Sequence, residues 1–195
     1  MLIYLDLFVG VLTAPFATLR ALAAQPRPGA AVVVHALIIL ITTLAGAYAA
    51  PGAPPLPLTL GAGLAVVFGL LGLFLYAACL HLSAAFLGGE GCGRALGLFT
   101  ALAFASSPSV LIAPFGLAMR AAPPVFYYLV SAALGLWMLV LQILSIQATY
   151  RFSFWRALAA LLLPFLLVLA AVLLSLVLGV AALLPQLKGL LPPTL

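Results

Sequence analysis

Acidic side chains are nearly missing: Asp6 and Glu90 are the two that the 195 residues carry, and asparagine is absent altogether. They stand far apart in sequence, so no carboxylate pair is at hand for general acid–base work. Charge of either sign is scarce. Only 5% of residues are charged, against roughly 25% in an ordinary soluble domain. A soluble fold of this length has neither the interior to hide 68% hydrophobic residues nor the charge to coat them. The seven basic residues stand singly, without a patch or run, which excludes nucleic acid as an expected partner. Cysteine is reduced to Cys79 and Cys92, with no CxxC spacing, so two free thiols are expected and no disulfide framework. No serine stands in a G-x-S-x-G setting. No catalytic residue, cofactor or metal site is expected.

What fills the chain is apolar sequence broken by proline and glycine, which a bilayer can absorb. The expected fold is all-α: a polytopic transmembrane helix bundle forming one membrane domain over 1–195. Five spans are expected, at about 30–49, 60–87, 95–119, 125–149 and 157–184. A span of some 20 residues reaches ~30 Å at helical rise. Residues 1–12 are apolar but too short to cross. Thr13-Ala14-Pro15 reads as a helix start, and Phe16, Leu19, Leu22 and Ala23 share one face opposite Arg20. That pattern predicts a short interfacial helix, ended by Pro26 and Pro28, with 1–28 as the interfacial segment. Four prolines over 51–57 make a loop, Gly88 to Arg94 a flexible polar turn, and Pro185 is expected to end the last span.

Orientation follows from the arginines and the lysine. With the N-terminus in the cytoplasm, Arg20, Arg27, Arg94, Arg151 and Arg156 lie inside, and Arg120 and Lys188 outside. That distribution obeys the positive-inside rule and puts the C-terminus outside. The start of the chain is not a standard signal peptide, since no basic region precedes the apolar run and Asp6 interrupts it. Abundant Ala, Leu, Gly and Pro, with Arg favoured over Lys, point to a GC-rich bacterial genome. The expected location is therefore a bacterial cytoplasmic membrane. Tyr127, Tyr128 and Tyr150, at the ends of the fourth span, are expected in the aromatic belts.

Within this topology several polar side chains fall inside the bilayer: His35, His81, Thr100, Ser106, Ser107, Gln142, Ser145 and Thr149. A polar group facing lipid is costly, so these are expected to face inward. One reading makes them interhelical glue at ~0.6 kcal/mol per hydrogen bond. The other makes them a cavity open to the cytoplasm, with His81 holding a headgroup, anion or proton. Pro108, within Ser106-Ser107-Pro108-Ser109, and Pro114 are expected to break the third helix, and transporters place broken helices at binding sites. Most prolines in membrane helices are kinks without a site. Gly88, Gly89, Gly91 and Arg94 form a loop motif resembling an anion nest, but Glu90 within it would repel phosphate.

Small residues recur at four-residue spacing as Gly61/Ala65/Gly69, Ser131/Gly135 and Ala171/Ser175/Gly179. Such stripes let helix backbones approach closely, within one chain, between copies or against other membrane proteins. Membrane lipids are the remaining expected partners.

His81-Leu82, Leu87-Gly88-Gly89-Glu90-Gly91, Arg94 and Ala103-Phe104-Ala105-Ser106-Ser107-Pro108 resemble the Yip family of small five-span membrane proteins. So do Thr13-Ala14-Pro15 through Leu22, and Trp137 leading to Tyr150, Arg156 and Ala157. The resemblance covers nearly the whole chain. Two positions depart: Glu90 stands where a basic residue is common, and Phe104 where tyrosine is frequent. The resemblance implies a five-span bundle with a cytoplasmic N-terminus. Eukaryotic relatives are linked to Rab-type GTPases and vesicle traffic. With no long cytoplasmic region ahead of the first span, that role is not expected to carry over. A non-enzymatic adaptor, or else a small transporter or lipid-moving protein, is expected.

Overall fold

A computed structural model describes residues 2–49, 58–89, 95–118 and 124–190. Every regular element among them is helical: α1 (Leu2–Thr13), α2 (Pro15–Ala24), α3 (Pro28–Ala49), α4 (Leu58–Phe86), α5 (Ala95–Ala105), α6 (Ile112–Ala118), α7 (Pro124–Tyr150) and α8 (Phe154–Leu190), with a 3-10 turn (Ser107–Leu111) between α5 and α6. Five segments are long and apolar enough to cross a bilayer: Pro28–Ala47, Thr59–Phe86, Ala95–Gly116, Val125–Tyr150 and Phe154–Val180. The expected five-span bundle is what the chain forms. Residues 1–161 make one compact unit and residues 162–195 a second.

Prolines mark several helix starts. Pro15 and Pro28 each open a helix, where the missing N–H has no intrahelical partner to lose. Pro185, expected to end the last span, instead lies inside α8, which runs on to Leu190. A proline in a helix removes one hydrogen bond and adds a local clash, which membrane helices tolerate. In the second unit, residues 165–180 are exposed all round, as suits a helix whose solvent is lipid.

The third span is the centre of the first unit. Of its residues 56% are buried, against 22% or less in the other four spans. α5 touches α1, α2, α3, α4 and α7. Its two faces serve two clusters. Leu98, Leu102 and Ala103 pack with Leu73, Ala77 and Leu80 of α4, Ile143 and Ile146 of α7, and Ala157, Ala160 and Leu161 of α8. Ala101, Phe104 and Ala105 pack with Val11 of α1, Leu19 and Leu22 of α2, and Leu141 of α7.

The N-terminal helix α2 is part of this packing. Leu19 and Leu22 are buried as their shared face predicts, whereas Phe16, placed on that face from the sequence, is exposed. A Cβ on Gly97 would stand 2.7 Å from the Ala23 carbonyl oxygen, so the backbones of α2 and α5 meet there. At Gly69 on α4 the close neighbour is instead a side chain, since the Cβ position is filled by the tip of Ile39 on α3.

Candidate functional site

At one end of the bundle, residues from three parts of the sequence converge. The α4 helix ends at Phe86, and Gly88 takes φ +77°, in the left-handed region. The Gly89 N–H bonds the Ala84 carbonyl at 2.8 Å and the Gly88 N–H bonds that of Ala85 at 3.0 Å. This is a Schellman cap, and Gly at the left-handed position is what it requires. The cap leaves the Leu87 carbonyl free to accept a hydrogen bond from Arg156 Nη2 at 2.6 Å. The Arg156 guanidinium also lies over the Phe152 ring, 4.9 Å from its centroid. Gly88 gives it room, since a Cβ there would sit 3.4 Å from Nη2. Beside it, Gly89 lies so close to Tyr150 that a Cβ would meet ring carbon Cδ1 at 3.0 Å.

Tyr150 ties this end together. Its hydroxyl is hydrogen-bonded to His81 Nδ1, one helical turn and more inside α4, and its ring leans on Phe152 with centroids 5.7 Å apart. Tyr150 is buried, so its expected place in the aromatic belt is corrected: the ring turns inward to a polar partner. Tyr128, by contrast, is 67% exposed. After Tyr150 the chain reverses through Arg151, a non-glycine residue at φ +56°, and α8 follows Ser153, whose carbonyl accepts a hydrogen bond from the Ala157 N–H.

A second polar contact joins α3 to the broken third span. His35 Nδ1 and Ser106 Oγ are 3.0 Å apart, and Ser106 Oγ donates to the Ala103 carbonyl at 2.7 Å. The His35 ring meets the backbone of Gly69 on α4. Pro108 sits in the 3-10 turn, where its lack of an N–H interrupts the α-helical ladder. Pro114 is the third residue of α6, in its first turn, and interrupts nothing. The break does not turn the chain back, because α3 touches α5, the 3-10 turn and α6 in succession. Ser107 Oγ is fully buried there and has no hydrogen-bond partner.

A third contact, between spans two and four, escaped the sequence reading: the Tyr76 hydroxyl donates to Gln142 Oε1 at 2.8 Å. Nothing local marks Tyr76, because its partner lies 66 residues away on another helix. The other predicted residues turn to their own helices. Thr100 bonds the Leu96 carbonyl, Ser145 that of Leu141, and Thr149 that of Ser145. Of the eight expected polar residues, Thr100, Ser107, Ser145 and Thr149 are buried and His35, His81, Ser106 and Gln142 are half-buried. Glu90, Gly91 and Arg94 of the loop motif lie outside the described residues. Among the described residues, no three of His, Cys, Asp and Glu stand close enough to hold a metal.

The family model of the Yip1 domain matches residues 9–177, which takes in α2 through most of α8. The chain is a Yip1-domain protein. As such it is an integral membrane protein, in agreement with its five apolar spans. No curated protein and no solved structure matches it. Six of the residues that carried the resemblance in the sequence (His81, Leu87, Gly88, Gly89, Tyr150, Arg156) meet at the capped end of the Yip1 domain. Two hydrogen bonds, His81 with Tyr150 and Arg156 with Leu87, each between residues 69 apart, hold the α4 exit against the α7–α8 reversal.

Proposed function

We propose that this Yip1-domain protein is a non-enzymatic adaptor that organises other membrane components, in a bacterial cytoplasmic membrane with its N-terminus inside. One observation carries the reading. The strongest polar groups within the spans are answered by one another, His35 with Ser106, Tyr76 with Gln142 and His81 with Tyr150. Groups matched in this way fix the bundle and leave its apolar outer faces as the working surface. Two of the small-residue stripes support this. At Gly61 and Gly135 no atom lies within 4 Å of where a Cβ would stand, so both positions have room for a closely packed helix.

The test is native mass spectrometry on protein gently extracted from its own membrane. A stoichiometric protein partner or second copy, lost on Gly135→Ile with the monomer still folded, supports the reading. A protein that comes away alone under every mild extraction overturns it.

A second reading, a small transporter or lipid-moving protein, is favoured by the buried and unpartnered Ser107 hydroxyl at the break of the third span. It requires that His81→Ala abolish a flux measured in liposomes while the fold survives. Unchanged flux removes it.

A further inference from the structure

The N-terminal helices enclose a feature that the bundle does not use. An open cleft of about 390 Å³ lies between α1 and α2, lined by Asp6, Leu7, Ala17, Thr18, Ala21 and Arg27. Gly10 allows the two helices to meet at its base, since a Cβ there would stand 2.7 Å from Thr18 Oγ1. The cleft brings together one acid and one base, both exposed, and they form no ion pair with each other or with another described residue. Between them the wall is apolar.

The site's level in the membrane follows from the chain. Arg27 immediately precedes the first span, Pro28–Ala47, so it sits where that span leaves the hydrocarbon and headgroups begin. The Thr18 hydroxyl gives its proton to the Ala14 carbonyl at 3.0 Å, and its oxygen is left to accept. The cleft therefore offers a carboxylate and a hydroxyl oxygen as acceptors and a guanidinium as donor. A guanidinium suits phosphate, and a carboxylate suits a primary ammonium. A purely anionic headgroup would be drawn to Arg27 but repelled by Asp6.

We infer that the α1–α2 cleft is a binding site for a zwitterionic phospholipid headgroup bearing a primary ammonium, of the phosphatidylethanolamine class. Arg27 receives the phosphate, Asp6 and the Thr18 oxygen receive the ammonium, and Leu7, Ala17 and Ala21 border the start of the acyl chains. The inference is independent of the adaptor reading, since it concerns neither the paired polar groups nor the small-residue faces.

Native mass spectrometry of the full chain tests it, with phosphatidylethanolamine, phosphatidylcholine and phosphatidylglycerol supplied at equal concentration. The expected result is one retained phosphatidylethanolamine, preferred by about tenfold over the other two. Asp6→Asn and Arg27→Gln each remove that preference, and Arg27→Lys keeps most of it. Both positions are exposed, and thermal unfolding checks that the variants still fold. Equal retention of the three lipids overturns the inference, as does preference for phosphatidylglycerol, or a preference indifferent to both variants. Glycerophosphoethanolamine, which has the headgroup without acyl chains, separates the sources. Competition by it at the lipid's own concentration would mean a soluble zwitterion site and overturn the lipid assignment.

Discussion

Gly88 and Arg151 both hold left-handed backbone, at φ +77° and +56°, and they turn the chain at neighbouring corners of the capped end. Glycine adopts that conformation freely, whereas a side chain with a Cβ costs about 1–2 kcal/mol. The two positions therefore predict opposite signs. Gly88→Ala lowers stability by about 1 kcal/mol, and Arg151→Gly raises it by a similar or smaller amount, because the added freedom of glycine in the unfolded chain offsets part of the gain. Unfolding in mixed micelles measures both. A destabilised Arg151→Gly would show that the arginine side chain contributes more than its backbone strain costs. The Leu-Gly-Gly turn was legible in the sequence as a break with a family look. Its role as a Schellman cap was partly legible too, since glycine after a helix signals it. That Arg156 reaches back to the Leu87 carbonyl was not, because no local pattern links positions 69 apart.

Among the elements, α5 is central for a reason its own residues display. It runs AlaLeuGlyLeuPheThrAlaLeuAlaPheAla, with small side chains threaded between large ones, and every residue from Gly97 to Ala105 but Phe99 is buried. Small residues let neighbours approach, and a helix with many neighbours needs them on several sides. Gly97 marks the tightest approach, to the Ala23 carbonyl. Gly97→Val forces backbone apart at a place where no flexible side chain can give, at a cost of about 1–3 kcal/mol. The expected outcome is selective: faster amide hydrogen exchange in Pro15–Ala24, with α4 and α7 still protected. Uniform loosening of every span would instead mean that α2 is not a separable layer. Proline content predicted an interrupted third span, and Pro108 does interrupt it. Pro114 does not, because α6 starts afresh at Ile112 and places it in a first turn, where an N–H is dispensable.

For the whole molecule, the arrangement in the membrane is the quantity to measure. The positive-inside rule places the turn between the second and third spans inside and the turn between the third and fourth outside. Reporters inserted within 90–94 and 120–123 are expected to signal cytoplasm and exterior respectively. Both reporting the same side would mean that the third span does not cross, and the five-span arrangement would fall to four. The test is informative because that span is both the most buried and the one broken by proline.

Class and span number were written in the sequence, because hydropathy over some twenty residues is a local quantity set by the bilayer's thickness. The inward direction of the polar residues was also legible, since hydrocarbon penalises any other choice. Which polar group meets which was left to the tertiary structure. His35 with Ser106, Tyr76 with Gln142 and His81 with Tyr150 join residues 66 to 71 apart, and such pairings depend on how helices rotate and stack against one another. The same packing turned Tyr150 from an interfacial anchor into an interior ligand of His81, and placed Asp6 and Arg27, unremarkable in sequence, on one cleft.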